Sequence, residues 1–215
     1  MCSLPTSPPL LNSVQGRLFG PAPFPVRLLL DLDGTLLQNA AGPVLSRYFG
    51  KAMPPGHPPA WFSTGLLKRL RISTGQFWQA FAENEEEIYG GSVLMPGAAA
   101  CLQQLKQGGA FIAVVTARRL SAEKTTRRWL AAHNVPFDVL EMGHDNKLPI
   151  ALSLNLNWAI EDDAAIAATL AQELHVLLMQ PEIVVQTASG RLRRQQSGIT
   201  YIASWAQVAR LLPSC

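Results

Sequence analysis

Short runs of continuous apolar residues alternate along the chain with segments that have the apolar periodicity of helices. The predicted strands are residues 26–30, 111–115, 137–140, 158–160 and 176–179. The predicted helices are residues 96–107, 121–133, 148–154 and 164–174. Strands that are apolar throughout, rather than at every second position, are typical of sheets buried on both faces. The pattern therefore predicts an α/β fold with a Rossmann-like parallel sheet and helices on both faces.

One long segment interrupts this alternation directly after the first strand. Between Leu37 and Met95 the sequence predicts no strand, whereas a simple crossover needs only one helix. Ser73 and Gln76 have the spacing of a capping box, and the apolar residues that share the following helical face are Phe77, Phe81 and Ile88. We therefore predict that residues 40–91 form a small helical cap inserted after the first strand, and we refer to them as the inserted segment.

The remaining residues, 26–39 and 92–215, are assigned to one core domain. A chain of 215 residues is long enough for one domain of ordinary size that carries a small insertion. A composition of 48% hydrophobic and 15% charged residues excludes general disorder. Residues 1–25 are rich in Pro, Ser and Gly and lack apolar periodicity, so we expect a poorly ordered N-terminal arm.

Charge and cysteine content limit the expected partners and location. The net charge of +3 is small and dispersed, which argues against nucleic acid as a partner. No apolar run approaches the roughly 18 residues of a membrane span, and the first residues lack the pattern of a secretory signal. Cys2, Cys101 and Cys215 have neither disulfide nor zinc spacing, so we expect a reducing, cytoplasmic setting.

Two acids, Asp31 and Asp33, follow the first predicted strand directly and are themselves followed by Gly-Thr. A single acid at such a place is commonly a helix N-cap. Residues two apart in an extended chain point the same way, so both carboxylates are expected to face one small volume. Two like charges repel there unless a cation lies between them or one acid is protonated. A magnesium ion meets the first condition, and a general acid meets the second.

Polar residues also follow the other predicted strands, whose carboxyl ends meet at one edge of a parallel sheet. Thr116 offers a hydroxyl for a phosphate oxygen, and Lys147 begins a helix, where an anion is favoured. After the strand at 158–160 come three consecutive acids, Glu161, Asp162 and Asp163, of which Asp163 is equally suited to be a helix N-cap. Two further residues, Arg118 and Arg119, are candidates either for contact with a substrate phosphate or for a solvated helix start.

In this order, "DLDGTLL", "VVTAR", Lys147 and "IEDD" resemble the four signature motifs of the haloacid dehalogenase-like (HAD) hydrolase superfamily. The resemblance covers residues 26–179. More narrowly, the chain resembles the cytosolic 5'-nucleotidase-type branch and its putative-nucleotidase relatives. The stretches that carry this resemblance are "FWQAFAENEEEIY", "MPGAAACLQQL", "TTRRWLAAHNVPFDVLEMGHDNK" and "ITYIASWAQV". After the fifth strand this chain has "QPEIVV" where members of that branch tend to have a Pro-Tyr-Asn stretch.

The resemblance implies a role for each residue. Asp31 would be the nucleophile that becomes an aspartyl phosphate, and Asp33 would protonate the leaving group and then activate water. Asp31, Asp162 and the backbone carbonyl of Asp33 would hold Mg²⁺, while Thr116 and Lys147 would bind the phosphoryl group. With a dianionic phosphate, about four negative charges would face about three positive ones from Mg²⁺ and Lys147.

The expected function is therefore Mg²⁺-dependent hydrolysis of a small phosphomonoester, with a nucleoside 5'-monophosphate as one candidate. Two alternatives stay open. A phosphomutase of the same fold would use the same catalytic residues. A non-catalytic HAD-like protein that binds a partner would have no need for the whole set.

Overall fold

Six parallel strands form one sheet in the computed structural model, which describes residues 26–53, 65–180 and 198–212. In chain order they are β1 (Arg27–Leu30), β4 (Phe111–Thr116), β5 (Val139–Met142), β6 (Trp158–Glu161), β7 (His175–Met179) and β8 (Ile199–Ile202). Their spatial order is β5-β4-β1-β6-β7-β8, which places β1 in the middle of the sheet. The predicted parallel sheet is confirmed. The predicted N-terminal arm, residues 1–25, lies outside the described residues.

Helices connect the strands. In the described ranges they are α1 (Ala41–Phe49), α2 (Leu66–Arg69), α3 (Thr74–Glu83), α4 (Glu85–Gly90), α5 (Ala98–Gln107), α6 (Glu123–Ala132), α7 (Leu148–Ser153), α8 (Ala164–Leu170) and α9 (Trp205–Leu211). A 3₁₀ turn, Leu120–Ala122, precedes α6. Within these same ranges, every helix is too short or too polar to span a lipid bilayer.

The two faces of the sheet pack against different helices, because successive residues of β1 point in opposite directions. Leu28 and Leu30 lie in a buried cluster with residues of α5, α6 and α9. Leu29 lies in a second cluster with residues of α7 and α8. The prediction of helices on both faces is therefore confirmed.

Two features of the strands differ from the sequence prediction. The edge strand β8 was not predicted, because it is not an apolar run: its two buried Ile residues flank the partly exposed Thr200 and Tyr201. The prediction of no strand between Leu37 and Met95 is wrong, since β2 (Leu37–Gln38) and β3 (Val93–Leu94) form an antiparallel pair. Two residues are too few to leave a recognisable pattern, yet this pair joins the two ends of the inserted segment.

The described part of the inserted segment contains helices α1 to α4. The predicted capping box is present, since Ser73 Oγ accepts a hydrogen bond from the Gln76 amide and Gln76 Oε1 accepts one from the Ser73 amide. The expected apolar face is buried, but it belongs to two helices, because the chain bends at Asn84 between α3 and α4. The apolar residues of this segment form a third cluster, which includes Phe77, Phe81 and Ile88.

Candidate active site

The carboxyl ends of three neighbouring strands bring the predicted residues together. Leu30 of β1 is paired with Val114 of β4 on one side and with Ile160 of β6 on the other. Asp31, which follows Leu30, donates its backbone N–H to the Ile160 carbonyl over 3.1 Å. This register places Asp31 beside Glu161 at the end of β6, while Thr116 is the last residue of β4.

A buried lysine joins two of the acids. Lys147 Nζ lies 2.5 Å from Asp31 Oδ1 and 2.7 Å from Glu161 Oε2. All three side chains are almost completely buried. Lys147 precedes α7, so the turn between β5 and α7 carries its ammonium group to the end of β1. Burial of a charge is costly unless it is paired, and here one ammonium group pairs with two carboxylates.

Three carboxylates form a group that is suited to a metal ion. Oxygens of Asp31, Glu161 and Asp162 all lie within 4.8 Å of one another, and we refer to these residues as the carboxylate cluster. Carboxylate oxygens are the ligands that Mg²⁺ and Ca²⁺ prefer. With all three acids ionised and Lys147 protonated, the cluster carries a net charge of about −2, which one divalent cation balances. The residues present therefore fit a magnesium ion.

The mutual repulsion of these acids is visible in their pKa values. Burial, followed by the nearby Asp31 carboxylate, raises the pKa of Glu161 to about 7. Burial also raises the pKa of Asp162 to about 9, with further contributions from Asp31 and Glu161. For Lys147, burial alone would lower the pKa, but Asp31 and Glu161 outweigh burial and raise it. Without a cation the cluster thus tends to take up protons.

Gly34 allows the chain to pass close to this cluster. Its φ of +94° lies in the left-handed region, and a Cβ atom built there would lie 2.0 Å from Asp162 Oδ2. The following residues form a tight turn in which the Leu32 carbonyl accepts the backbone N–H groups of Leu36 and Leu37. Glycine is therefore required for two separate reasons, its backbone conformation and the space taken by the Asp162 carboxylate.

Replacing Gly34 with alanine is expected to destabilise the protein and to displace Asp162. Gly109→Ala is a matched control, because Gly109 has a similar φ of +83° and nothing within 4 Å of an added Cβ. We expect the control to lose about 1 kcal/mol through backbone strain, and Gly34→Ala to lose more. Urea unfolding of both variants measures the difference, and equal losses would show that the Asp162 contact is unimportant.

Asp33 lies next to the carboxylate cluster in sequence but pairs with a different cation. Arg118 Nε lies 2.6 Å from Asp33 Oδ2, and Arg118 Nη2 lies 3.0 Å from Oδ1. Asn39 Nδ2 donates a third hydrogen bond to Oδ1 over 3.2 Å. The sequence predicted that a cation lies between the two acids or that one of them is protonated. In the structure each acid also pairs with a cationic side chain, Asp31 with Lys147 and Asp33 with Arg118.

The other predicted residues occupy distinct positions. Thr116 is buried, and its Oγ1 accepts the backbone N–H of Arg118 over 3.2 Å. Asp163 is the N-cap of α8, because its Oδ1 accepts the N–H groups of Ala165 and Ile166. The side chain of Asp33 is not part of the carboxylate cluster. The predicted role of its backbone carbonyl in holding a metal stays a prediction.

Two residues of this site were not assigned a role from the sequence. Glu161 was recognised only as one of three consecutive acids, although its position at a strand end was the same signal that identified Asp31. For Arg118 the sequence left two alternatives open, contact with a substrate phosphate or a solvated helix start. In the structure this residue is 3% exposed, and its side chain binds Asp33. The roles of all these residues in a reaction stay predictions.

Comparison with known proteins gives relatives in sequence and in fold. No protein-family model matches the sequence. The chain is 29% identical over 150 residues to "Putative nucleotidase YqfW" of Bacillus subtilis, an alignment that covers 69% of this chain and 76% of that protein. It is 27% identical over 168 residues to "Putative nucleotidase BH1399" of Halalkalibacterium halodurans, covering 77% and 82% of the two chains.

The fold is similar to that of an HAD phosphatase from Thermococcus onnurineus, with a TM-score of 0.56. The superposition covers 88% of this chain and 98% of that one, at 16% sequence identity. Identity this low indicates a shared fold alone, so the chemistry has to be argued from the site.

Proposed function

We propose that this chain, a member of the haloacid dehalogenase-like hydrolase superfamily, is a Mg²⁺-dependent phosphatase that hydrolyses a small phosphomonoester through an aspartyl phosphate. The observation that carries the proposal is the contact of one buried lysine with both Asp31 and Glu161, beside Asp162. The names of both relatives in sequence describe a nucleotidase, which supports a nucleoside 5'-monophosphate as the substrate.

Asp31 is suited to act as the nucleophile. Its carboxylate lies at the carboxyl end of the central strand, where ligands bind in sheets of this type, and Lys147 fixes the position of Oδ1. Attack of the other oxygen on phosphorus would form the aspartyl phosphate and release the alcohol. When bound, Mg²⁺ would supply positive charge to the phosphoryl oxygens, with Asp31, Glu161 and Asp162 as the residues that could hold it.

Asp33 is suited to proton transfer in both halves of the reaction. Its carboxyl group would donate a proton to the leaving oxygen and would then accept one from the water that hydrolyses the aspartyl phosphate. The side chain is only 12% exposed, so bulk water has little access to it. Its carboxylate accepts three hydrogen bonds, two from Arg118 and one from Asn39.

Glu161 and Arg118 both change the charge balance that the sequence suggested. With Asp33 protonated, a dianionic phosphate with Asp31, Glu161 and Asp162 brings about five negative charges against about four positive ones from Mg²⁺, Lys147 and Arg118. Neutral donors therefore have to stabilise the phosphoryl group. The Thr116 hydroxyl and the backbone N–H of Ala117 are the candidates at the end of β4.

We further propose that the inserted segment selects the substrate. Its helix α4 is bound to the core, since Glu86 forms an ion pair with Arg128 and Glu85 accepts a hydrogen bond from Ser121. Glu85 and Glu86 belong to an acidic run, residues 83–87. Such a run is commonly a solvated helix face, but these two side chains also hold α4 against α6 and the preceding turn.

Phosphate release with and without metal tests the proposed function. We expect activity on a panel of nucleotides and sugar phosphates to disappear in excess EDTA and to return with Mg²⁺. Activity that persists undiminished in EDTA would contradict the metal requirement. Transfer of phosphate within a substrate, without release, would indicate the phosphomutase alternative instead. A nucleotidase is contradicted if nucleoside 5'-monophosphates are hydrolysed no faster than sugar phosphates.

Metal binding can also be measured without any substrate. Mg²⁺ should raise the melting temperature more at pH 8 than at pH 6, because at the lower pH the ion must displace protons from Asp162 and Glu161, whose pKa values are raised. Asp162→Asn should reduce this shift strongly. Asp163→Asn is the matched control, since asparagine preserves the N-cap of α8 and Asp163 lies outside the carboxylate cluster. Equal shifts in both variants would contradict the assignment.

A further inference from the structure

Arg118 is a buried cation with a specific set of contacts that the proposed reaction does not yet use. Its guanidinium donates to both oxygens of Asp33 and, through Nη1, to Thr126 Oγ1 over 3.1 Å. One face of the guanidinium lies on the ring of Tyr89, with 3.9 Å between Arg118 Cζ and the ring centroid. Hydrogen bonds and the aromatic ring thus fix both the position and the plane of the group.

This arrangement is better suited to orienting the Asp33 carboxyl group than to stabilising the fold. A buried ion pair seldom stabilises a protein more than apolar residues of the same shape would. A two-point contact between arginine and a carboxylate, however, fixes the rotation of the carboxylate, which a lysine cannot do. We propose that Arg118 is the positioning residue of Asp33, and that it holds the carboxyl group in the orientation from which its protonated form gives its proton to the leaving oxygen. The proposal rests on the proposed phosphatase function.

Tyr89 connects this pair to the inserted segment. It belongs to α4, it is buried, and its ring also packs edge-on against Phe81 of α3. Arg118 therefore lies between the end of β4 and a helix of the inserted segment. The contact with the ring thus links the guanidinium that binds Asp33 to α4.

A positioning role has a consequence that a merely structural role lacks. A sugar or nucleoside leaves as a poor alkoxide and needs a proton as its bond to phosphorus breaks, whereas nitrophenolate leaves readily as an anion. Loss of Arg118 should therefore slow the phosphorylation of Asp31 by a sugar phosphate far more than its phosphorylation by p-nitrophenyl phosphate. General structural damage would slow both reactions equally.

The experiment compares Arg118→Gln with Arg128→Gln by rapid mixing with both substrates. Arg128 is a matched control. Like Arg118, which contacts Thr126 of α6 and Tyr89 of α4, it links these two helices, but through an exposed ion pair with Glu86 and without a contact to Asp33. We expect Arg118→Gln to lose about 10²-fold in phosphorylation by the sugar phosphate, with a much smaller loss for p-nitrophenyl phosphate, and Arg128→Gln to match the wild type. Equal losses on both substrates, or no loss, would overturn the positioning role.

Three further variants make the result independent of folding problems. Arg118→Lys keeps the positive charge but loses the two-point contact, so its loss should also depend on the leaving group. Tyr89→Leu should show the same dependence, while Tyr89→Phe, which retains the aromatic ring, should not. If Arg118→Gln fails to fold, the lysine variant decides the question by the same comparison.

A double-variant cycle identifies the residue through which Arg118 acts. In an Asp33→Asn background, Arg118→Gln should cause no additional slowing of phosphorylation by the sugar phosphate. Additive losses would show that Arg118 acts elsewhere and would refute the proposal while the phosphatase function stands. A wild-type protein that hydrolyses neither substrate would refute the proposed function, and the positioning role would fall with it.

Discussion

Asp33→Asn should slow phosphorylation of the protein by a sugar or nucleoside phosphate by about 10²–10⁴-fold, which is the usual contribution of a general acid. Phosphorylation by p-nitrophenyl phosphate should be largely spared, because nitrophenolate needs no proton to leave. Hydrolysis of the aspartyl phosphate should nevertheless be slow with either substrate, because the attacking water has lost Asp33 as its general base. Rapid mixing should therefore show a burst of nitrophenol followed by a slow steady state.

The structure adds a complication to this variant. Asp33 offers two oxygens to Arg118, whereas asparagine offers one acceptor and one donor. One N–H group of the buried guanidinium would lose its partner, so Asp33→Asn should also lower the free energy of unfolding. The double variant Asp33→Asn/Arg118→Gln is the control, because it removes the unpaired charge. If its stability recovers while the dependence on the leaving group persists, the kinetic effect belongs to proton transfer.

Asp31→Asn separates the nucleophile from the acid. Without a nucleophile there is no aspartyl phosphate, so both burst and steady state should disappear. The mechanism is contradicted if Asp31→Asn retains a burst. It is also contradicted if Asp33→Asn slows phosphorylation equally for good and poor leaving groups, since Asp33 would then have only a structural role.

The position of the site could be predicted from the sequence because strand ends are recognisable and meet at one edge of a parallel sheet. That rule is enough to bring Asp31, Thr116, Lys147 and Asp162 to one place. It does not give the order of the strands. Without knowing that β6 lies beside β1, the sequence cannot show which of the consecutive acids after residue 160 faces Asp31. The strand end marks Glu161 as a candidate, but its contact with the lysine that also binds Asp31 depends on this strand order.

The partner of Asp33 could not be predicted either, because it depends on contacts between distant parts of the chain. Asp33 and Arg118 are 85 residues apart, and the aromatic ring that covers the guanidinium comes from the inserted segment. In the sequence, Arg118 and Arg119 look equivalent at the start of a helix. Burial distinguishes them, since Arg118 is enclosed and Arg119 is exposed.

The edge of the sheet shows a related limit. Central strands are apolar at almost every position because helices cover both faces, and that pattern identified β1, β4, β6 and β7. Among the described residues β8 pairs with β7 alone, and its Thr200 and Tyr201 are partly exposed. The helix that follows β8 nevertheless contacts the site. Its Trp205 indole N–H donates a hydrogen bond to the carbonyl of Thr35, in the turn after Asp33.

Lys147→Met is expected to destabilise the metal-free protein by about 3–5 kcal/mol at neutral pH, because it removes one member of a buried charge network and leaves the other members unpaired. Asp31 and Glu161 would then face each other and Asp162 without any cation. The measurement is urea unfolding in excess EDTA, so that no divalent ion replaces the lost charge.

The loss should shrink as the pH is lowered from 8 to 5. Burial and mutual repulsion already raise the pKa values of Glu161 and Asp162, and loss of the lysine raises them further. In this pH range the folded variant would bind more protons than the unfolded chain, so its stability rises as the pH falls. The wild type should show the same trend with a smaller slope, since Lys147 stays protonated and offsets part of the negative charge.

Lys106→Met is the matched control for this prediction. Lys106 Nζ also lies 2.8 Å from a carboxylate, that of Asp138, but both side chains of this pair are 30% exposed. Water screens such a pair, so we expect a loss of about 1 kcal/mol or less and no steeper dependence on pH than in the wild type. Equal losses of unfolding free energy in the two variants would mean that the burial of Lys147 among acids does not increase its contribution to stability. In that case the charge balance on which the proposed metal site depends would also be wrong.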